Sequence, residues 1–430
     1  MSHKLKVRLL GLDGEPMPED ALKSLYVADL HFEPERRQSE IAADGAVEIE
    51  APDTAVALHA NVHVPDFGTL WVTADNQGQG YGSSEEAVDF VREAAAGRLA
   101  EVQRLMGGPA VRWSVACRAH VDAAADCLDE ADRTSGASRA GFHLLALSHG
   151  LWAGEMAVVE RARERIATVS MRDGFLFGCN TFARGERRDA IRRRFSRTLN
   201  FGTLPFYLRS LEPEEGKPDY SRVDEILAWC ERDGILPKGH PLWWGHEAGL
   251  PEWLKGADWQ SAQRHCRRVV GRSVERYRDR ITVWDAINEA HDWANGLNLT
   301  QEQEVVITKI ACETIREKDP EATVIVNNCC PFGEYAADGT VHLGPAYERV
   351  LTPLAYLDRV MDAGVDFDVV GVQIYFPARD MLAVARMLDE YARFGKPVHI
   401  TELGVSSGER AAASDEAEQL RRTHGAWHQP

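Results

Sequence analysis

The stretch Ile281-Thr-Val-Trp-Asp-Ala-Ile-Asn-Glu289 decides the fold. Bulky and β-branched residues alternate along it as in a short buried strand, and it stops abruptly at two hydrogen-bonding side chains, Asn288 and Glu289. In parallel α/β folds ligands bind at the carboxyl ends of the strands, so a strand ending in Asn-Glu marks a candidate site. Lys396-Pro-Val-His-Ile-Thr-Glu402 repeats the pattern, an apolar strand with a carboxylate at its end. Two strand-end glutamates on one barrel rim would face each other across a cleft.

Around these two stretches the chain alternates strand and helix, the mark of β/α architecture. After Arg172-Asp-Gly174 the expected strands are Phe175–Phe182, Gly202–Phe206, Ile235–Trp244, Ile281–Ile287, Ala322–Asn327, Asp368–Ile374 and Val398–Thr401. The expected helices between them are Arg187–Leu199, Tyr220–Asp233, Asp258–Tyr277, Gln301–Lys318, one from about Ala346 to Ala363, and one from Asp380 to Phe394; a seventh is expected over Ser414–Arg422. Residues 172–430 therefore read as a (β/α)8 TIM-type barrel with seven strands evident. A closed barrel needs eight, and the tail after Arg422 is too short for a strand of ordinary length, so the expectation is a truncated product or a gap filled by another segment or chain.

Before the barrel, residues 1–82 show short strands between turn residues (Lys4–Leu10, Ser24–Leu30, Ala46–Ile49, Ala55–Val64, Thr69–Val72), the pattern of a small β-sandwich-like domain. Tyr26, Trp71 and Tyr81 are its candidates for stacking on a sugar, with core or linker roles the plainer alternative. Residues 83–171 turn helical, over Glu85–Leu105, Ala119–Asp132, Ala140–Leu151 and Gly154–Thr168, and read as a helical connector.

Composition narrows the function. The formal charge of −18 argues against a general nucleic-acid binder, because phosphate attraction needs a basic face. The basic run from Arg184 to Arg197 reads as a solvated helix face. No apolar run reaches the roughly 18 residues that suggest a membrane span. The amino-terminal residues lack the apolar core and cleavage site of a secretory signal, so a cytoplasmic location is expected unless a leader has been removed. Cys117, Cys127, Cys179, Cys230, Cys266, Cys312, Cys329 and Cys330 show no metal-ligand spacing, and free thiols in a reducing compartment are expected.

Trp284-Asp-Ala-Ile-Asn-Glu289-Ala resembles the acid/base motif of family 10 glycoside hydrolases, retaining xylanases on a (β/α)8 barrel, and Ile400-Thr-Glu402-Leu is similar to that family's nucleophile strand. Lys238-Gly-His240-Pro-Leu-Trp-Trp244, Glu212–Tyr220 and Gly371-Val-Gln373 fall between and before them in the family's order. The resemblance implies Glu289 as general acid and base, Glu402 as nucleophile, a carbohydrate substrate, and no metal or organic cofactor. It implies that Asn288 bonds the reacting sugar's second hydroxyl, with His240 and Gln373 as polar contacts and Trp244 as an aromatic wall. In retaining enzymes the two carboxyl groups stand about 5 to 5.5 Å apart so that one attacks while the other protonates.

The chain also departs from the pattern. Where the family has Glu-Asn and then Lys-Trp on strand two, this sequence has Thr203-Leu204 and Tyr207-Leu208. The histidine expected two positions after Gln373 is Tyr375, which becomes a substrate-contact candidate; the second histidine after Trp244 is replaced by Gly245, with His246 next. These changes put xylan itself in question more than glycoside cleavage. The rival expectations are a non-catalytic carbohydrate-binding protein on a degenerate or truncated barrel, and a glycosidase for an unusual, non-xylan glycoside.

Overall fold

The computed structural model describes residues 3–83, 86–108, 111–170, 174–183, 185, 188–292, 295–337, 350–375 and 377–404. The chain forms two compact units: the first holds residues 1–171 with 332–342 and 377–390, the second 172–331, 343–376 and 391–430.

The first unit begins with β1 (His3–Arg8), α1 (Glu19–Lys23), β2 (Tyr26–Ala28), β3 (Ser39–Ile41), β4 (Val47–Ala51), β5 (Ala57–Val64), β6 (Gly68–Ala74) and β7 (Val88–Asp89). These make two sheets, β3-β4-β1-β7 and β2-β5-β6, antiparallel except where β1 meets β7. In β4 every second residue is buried, as period-two geometry demands of a strand with one face on a core. Then come α2 (Phe90–Met106), α3 (Val115–Arg133) and α4 (Gly136–Thr168). Leu5, Ile49, Leu58 and Val62 from the strands share one apolar core with Phe90, Leu147 and Leu151 from the helices.

Two expectations fail in this unit. The helices expected to break between Leu151 and Gly154 are one helix, α4, because Gly154 serves packing and not termination: a Cβ there would stand 3.5 Å from Leu382 and 3.6 Å from Val102. Tyr26 offers no face to a sugar, being 3% exposed and stacked on His59 at 4.9 Å between ring centres.

In the second unit β8 (Gly178–Asn180), α5 (Arg188–Thr198), β9 (Phe201–Pro205), α6 (Leu208–Leu211), α7 (Ser221–Asp233) and β10 (Leu236–His240) are followed by α8 (Trp259–Tyr277) and β11 (Val283–Asn288). After them come α9 (Gln301–Lys318), β12 (Thr323–Asn328), α10 (Pro353–Asp362), β13 (Val369–Tyr375), α11 (Met381–Ala392) and β14 (Val398–Gly404). Residues 381–390 of α11 belong to the first unit. The seven strands β8 to β14 form one parallel sheet whose spatial order is the chain order. Adding each strand to the same side, with no reversal, is the winding of a TIM-type barrel and not of a doubly wound sheet. Helix ends are punctuated locally: Asp258 caps α8, Thr300 and Gln303 form a capping box on α9, and Gly234 stops α7 in the left-handed region at φ 70°.

The strand expected over Phe175–Phe182 shortens to β8, and that over Ile235–Trp244 ends at His240, before Pro241, which has no N–H for a ladder. The start of the helix expected from Ala346 and all of Ser414–Arg422 lie outside the described residues.

Candidate active site

A regular strand would turn Asp285 and Asn288 to opposite faces. β11 is not regular. Asp285 pairs with Ile325 but Ile287 with Val326, so Ala286 is an extra residue that resets the alternation. Both polar side chains thereby join one cluster. Asn288 Oδ1 accepts from Asn327 Nδ2 at 2.7 Å and from Gln373 Nε2 at 3.1 Å, which orients its own amide NH2 as the group left to donate. Glu289 follows with φ at +52°, a conformation that costs a non-glycine residue on the order of 1–3 kcal/mol. Its N–H donates to the Asn327 carbonyl at 3.0 Å, and its Oε2 accepts from Trp244 Nε1 at 3.0 Å. Glu289 as a whole is 5% exposed.

Behind this rim Lys238 Nζ and His240 Nδ1 both reach Asp285 Oδ2, at 2.7 and 2.6 Å. Burial by itself would push the Asp285 carboxyl up, but Lys238 and His240 outweigh it and hold the group below its ordinary range. An ionised Asp285 fixes the His240 ring, whose Nε2 then lies 3.7 Å from Glu402 Oε1.

Glu402 also owes its place to a bulge. Val372 pairs with Ile400 and Gln373 with Glu402, leaving Thr401 as the extra residue. Adjacent residues Thr401 and Glu402 can then both bond Asn327: Thr401 Oγ1 donates to its Oδ1, and its Nδ2 donates to Glu402 Oε1 at 3.0 Å. Gly371, the register partner of Asn327, leaves the room this amide needs, since a Cβ there would stand 2.6 Å from Asn327 Oδ1. The other oxygen, Oε2, accepts from the Tyr375 hydroxyl at 2.7 Å.

Two phenols report that the glutamates share one cleft. Tyr207 packs edge-on against His240 and Trp244, at 5.6 and 5.8 Å between ring centres. Burial, then Glu402, then Glu289 push its hydroxyl well above the ordinary tyrosine range, and burial, Glu402 and Glu289 do the same to Tyr375. His246 stacks on Trp244 at 4.6 Å. Among the described residues one group could offer three metal ligands, Glu289, Asp292 and Cys329, with atoms within 4.8 Å of one another. A hydrogen bond with Cys330 and burial hold the Cys329 thiol well above its ordinary range.

All seven sequence-selected residues, Glu289, Glu402, Asn288, His240, Trp244, Gln373 and Tyr375, fall in this one network. Asn327, Tyr207, Lys238 and Asp285 were not selected. The sequence signals were an asparagine pair ending an apolar strand and a lysine inside a strand that buries it.

The sequence model of "Glycosyl hydrolase family 10" matches residues 205–427, more than half of the 430-residue chain. The chain belongs to glycosyl hydrolase family 10. Within the family it is similar to "Endo-1,4-beta-xylanase 1" of Arabidopsis thaliana, at 24% identity over 49% of this chain and 21% of that protein. It is likewise similar to "Endo-1,4-beta-xylanase A" of Caldicellulosiruptor saccharolyticus, at 24% identity over 55% of this chain and 69% of that one. The chain spans about a fifth of the length of the first two curated relatives it matches, 21% and 18%. A family 10 structure from Paenibacillus barcinonensis aligns at 16% identity and a TM-score of 0.44, over 58% of this chain and 76% of that one. No helix among the described residues is long and apolar enough to cross a membrane.

Proposed function

We propose that the chain is a retaining β-glycoside hydrolase acting on a β-linked oligo- or polysaccharide, with xylan the family default. The observation that carries the reading is the double use of Asn327: its carbonyl holds the Glu289 backbone and its side chain holds the Glu402 carboxylate. Family membership and relatives named as endo-1,4-beta-xylanases support it.

In the first step a Glu402 oxygen bonds the anomeric carbon as that carbon's bond to the leaving oxygen breaks. Glu289, in from solvent and bonded by Trp244, delivers the proton to the leaving oxygen. In the second step Glu289 takes a proton from water, the water oxygen bonds the same carbon, and the Glu402 carboxylate departs. Asn288 presents its NH2 to the sugar's second hydroxyl, and Trp244 with Tyr207 walls the cleft. No step needs a metal or organic cofactor. A second reading, a glycosidase for a non-xylan glycoside, is favoured by Thr203, Leu204 and Tyr207 standing where the family pattern has polar sugar contacts.

The test is hydrolysis of nitrophenyl β-xyloside, β-xylobioside, β-glucoside and β-cellobioside, and of xylan, by wild type, Glu289→Ala and Glu402→Ala. The proposal expects activity on at least one β-glycoside, reduced about 10²- to 10⁴-fold by Glu289→Ala and at least as far by Glu402→Ala. A folded wild type as silent as its variants refutes it in favour of a binding protein.

A further inference from the structure

We propose that Tyr375, seated against Gly404, is a positioning residue that fixes the Glu402 carboxylate and not a contact to the sugar. The inference rests on the glycosidase reading and goes beyond it, because the family pattern has a histidine where this chain has Tyr375.

Three observations carry it. The β13–β14 register sets Tyr375 directly across from Gly404. A Cβ at position 404 would stand 2.3 Å from Tyr375 Cδ1 and 2.7 Å from Cε1, so the ring occupies the space that any side chain at 404 would need. From that seat the hydroxyl donates to Glu402 Oε2 at 2.7 Å, while Asn327 Nδ2 donates to Oε1 at 3.0 Å. A carboxylate with a separate donor on each oxygen is held in rotation as well as in place, and such orientation of a reacting group is worth rate. Burial and the Glu402 charge keep the phenol protonated, so it remains a donor at any working pH. A glycine at 404 and a tyrosine at 375 thus form a pair: the first makes room, the second reaches the nucleophile.

The two roles separate in steady-state kinetics. With the full chain and the most readily cleaved aryl β-glycoside, kcat and KM are measured for wild type, Tyr375→Phe, Gly404→Ala and the double variant. The proposal expects Tyr375→Phe to lower kcat about 10- to 100-fold, the loss of one hydrogen bond to a charged group, with KM within about twofold. Gly404→Ala, which displaces the ring without removing the hydroxyl, is expected to lower kcat in the same way. The double variant is expected to fall no further than the worse single variant, because both remove one interaction. A raised KM at unchanged kcat makes Tyr375 a sugar contact and overturns the proposal. So does an unchanged Tyr375→Phe, or multiplicative effects of the two substitutions, which would mark Gly404→Ala as an independent packing defect. Each of these outcomes leaves the glycosidase reading standing. A wild type as silent as Glu402→Ala on every β-glycoside overturns both.

Discussion

The two sides of the cleft are built to different standards. On the β11 side every residue of Val283–Asn288 is buried, Asp285 is locked between Lys238 and His240, and Glu289 is bent into the left-handed region by its bond to Asn327. On the β14 side no residue of the strand is fully buried, and Ile400 and Leu403 are 51% and 68% exposed. Glu402 depends there on Asn327 and Tyr375, with His240 further off at 3.7 Å. The difference sets how freely each glutamate's support can change. Residues 284–290 match the acid/base motif, where a changed side chain would leave a buried charge or donor unpaired. Tyr375 departs from the pattern at the half-exposed edge, where its hydroxyl reaches Glu402 from the space that Gly404 leaves.

Stability can break or sharpen this contrast. Lys238→Met leaves a buried Asp285 carboxylate without its ammonium partner and is expected to cost about 3–5 kcal/mol in urea unfolding at neutral pH. A loss under about 1 kcal/mol would show that the β11 side is not locked by this pair. His291, two residues past Glu289, gives a smaller and pH-dependent effect. Burial pushes its pKa down to about 3, a hydrogen bond to the Leu351 backbone opposing the shift. The unfolded chain takes up this proton near pH 6.5 and the folded chain does not, so the contribution of neutral His291 is complete above that pH and declines as pH falls toward 3. Between pH 6.5 and 5, wild type is expected to lose about 1.7 kcal/mol more than His291→Gln. Parallel pH dependences for the two proteins would contradict it.

Much of this was legible in the sequence, for physical reasons. Strands buried on both faces read as continuous apolar runs, and helices with ordinary caps read by period, so the barrel's order of elements followed. Glu289, Asn288 and Glu402 were found because each stands at the end of an apolar strand, whereas His240, Trp244, Gln373 and Tyr375 were found through the resemblance to family 10. The two bulges were not legible, since an extra residue at Ala286 or Thr401 leaves no mark on composition; they decide which side chains face the cleft. Asn327 was missed for the same reason, its importance lying in partners 39 and 75 residues away. Nor does any local signal assign residues 332–342 and 377–390, which follow barrel strands, to the compact unit built on the first 171 residues. Gly154 misled because a glycine inside a helix signals a break or a close neighbour equally well.

The central claim is that Glu402 becomes covalently bound to sugar while Glu289 serves as acid and base. The direct measurement is peptide mass mapping after incubation with an activated aryl β-glycoside bearing fluorine in place of the reacting sugar's second hydroxyl, which slows release of the intermediate. The account predicts one glycosyl group on the peptide carrying Glu402, and none when Glu402→Ala is treated alike. A label on Glu289 or elsewhere, or turnover of the parent glycoside with no label trapped, would contradict it.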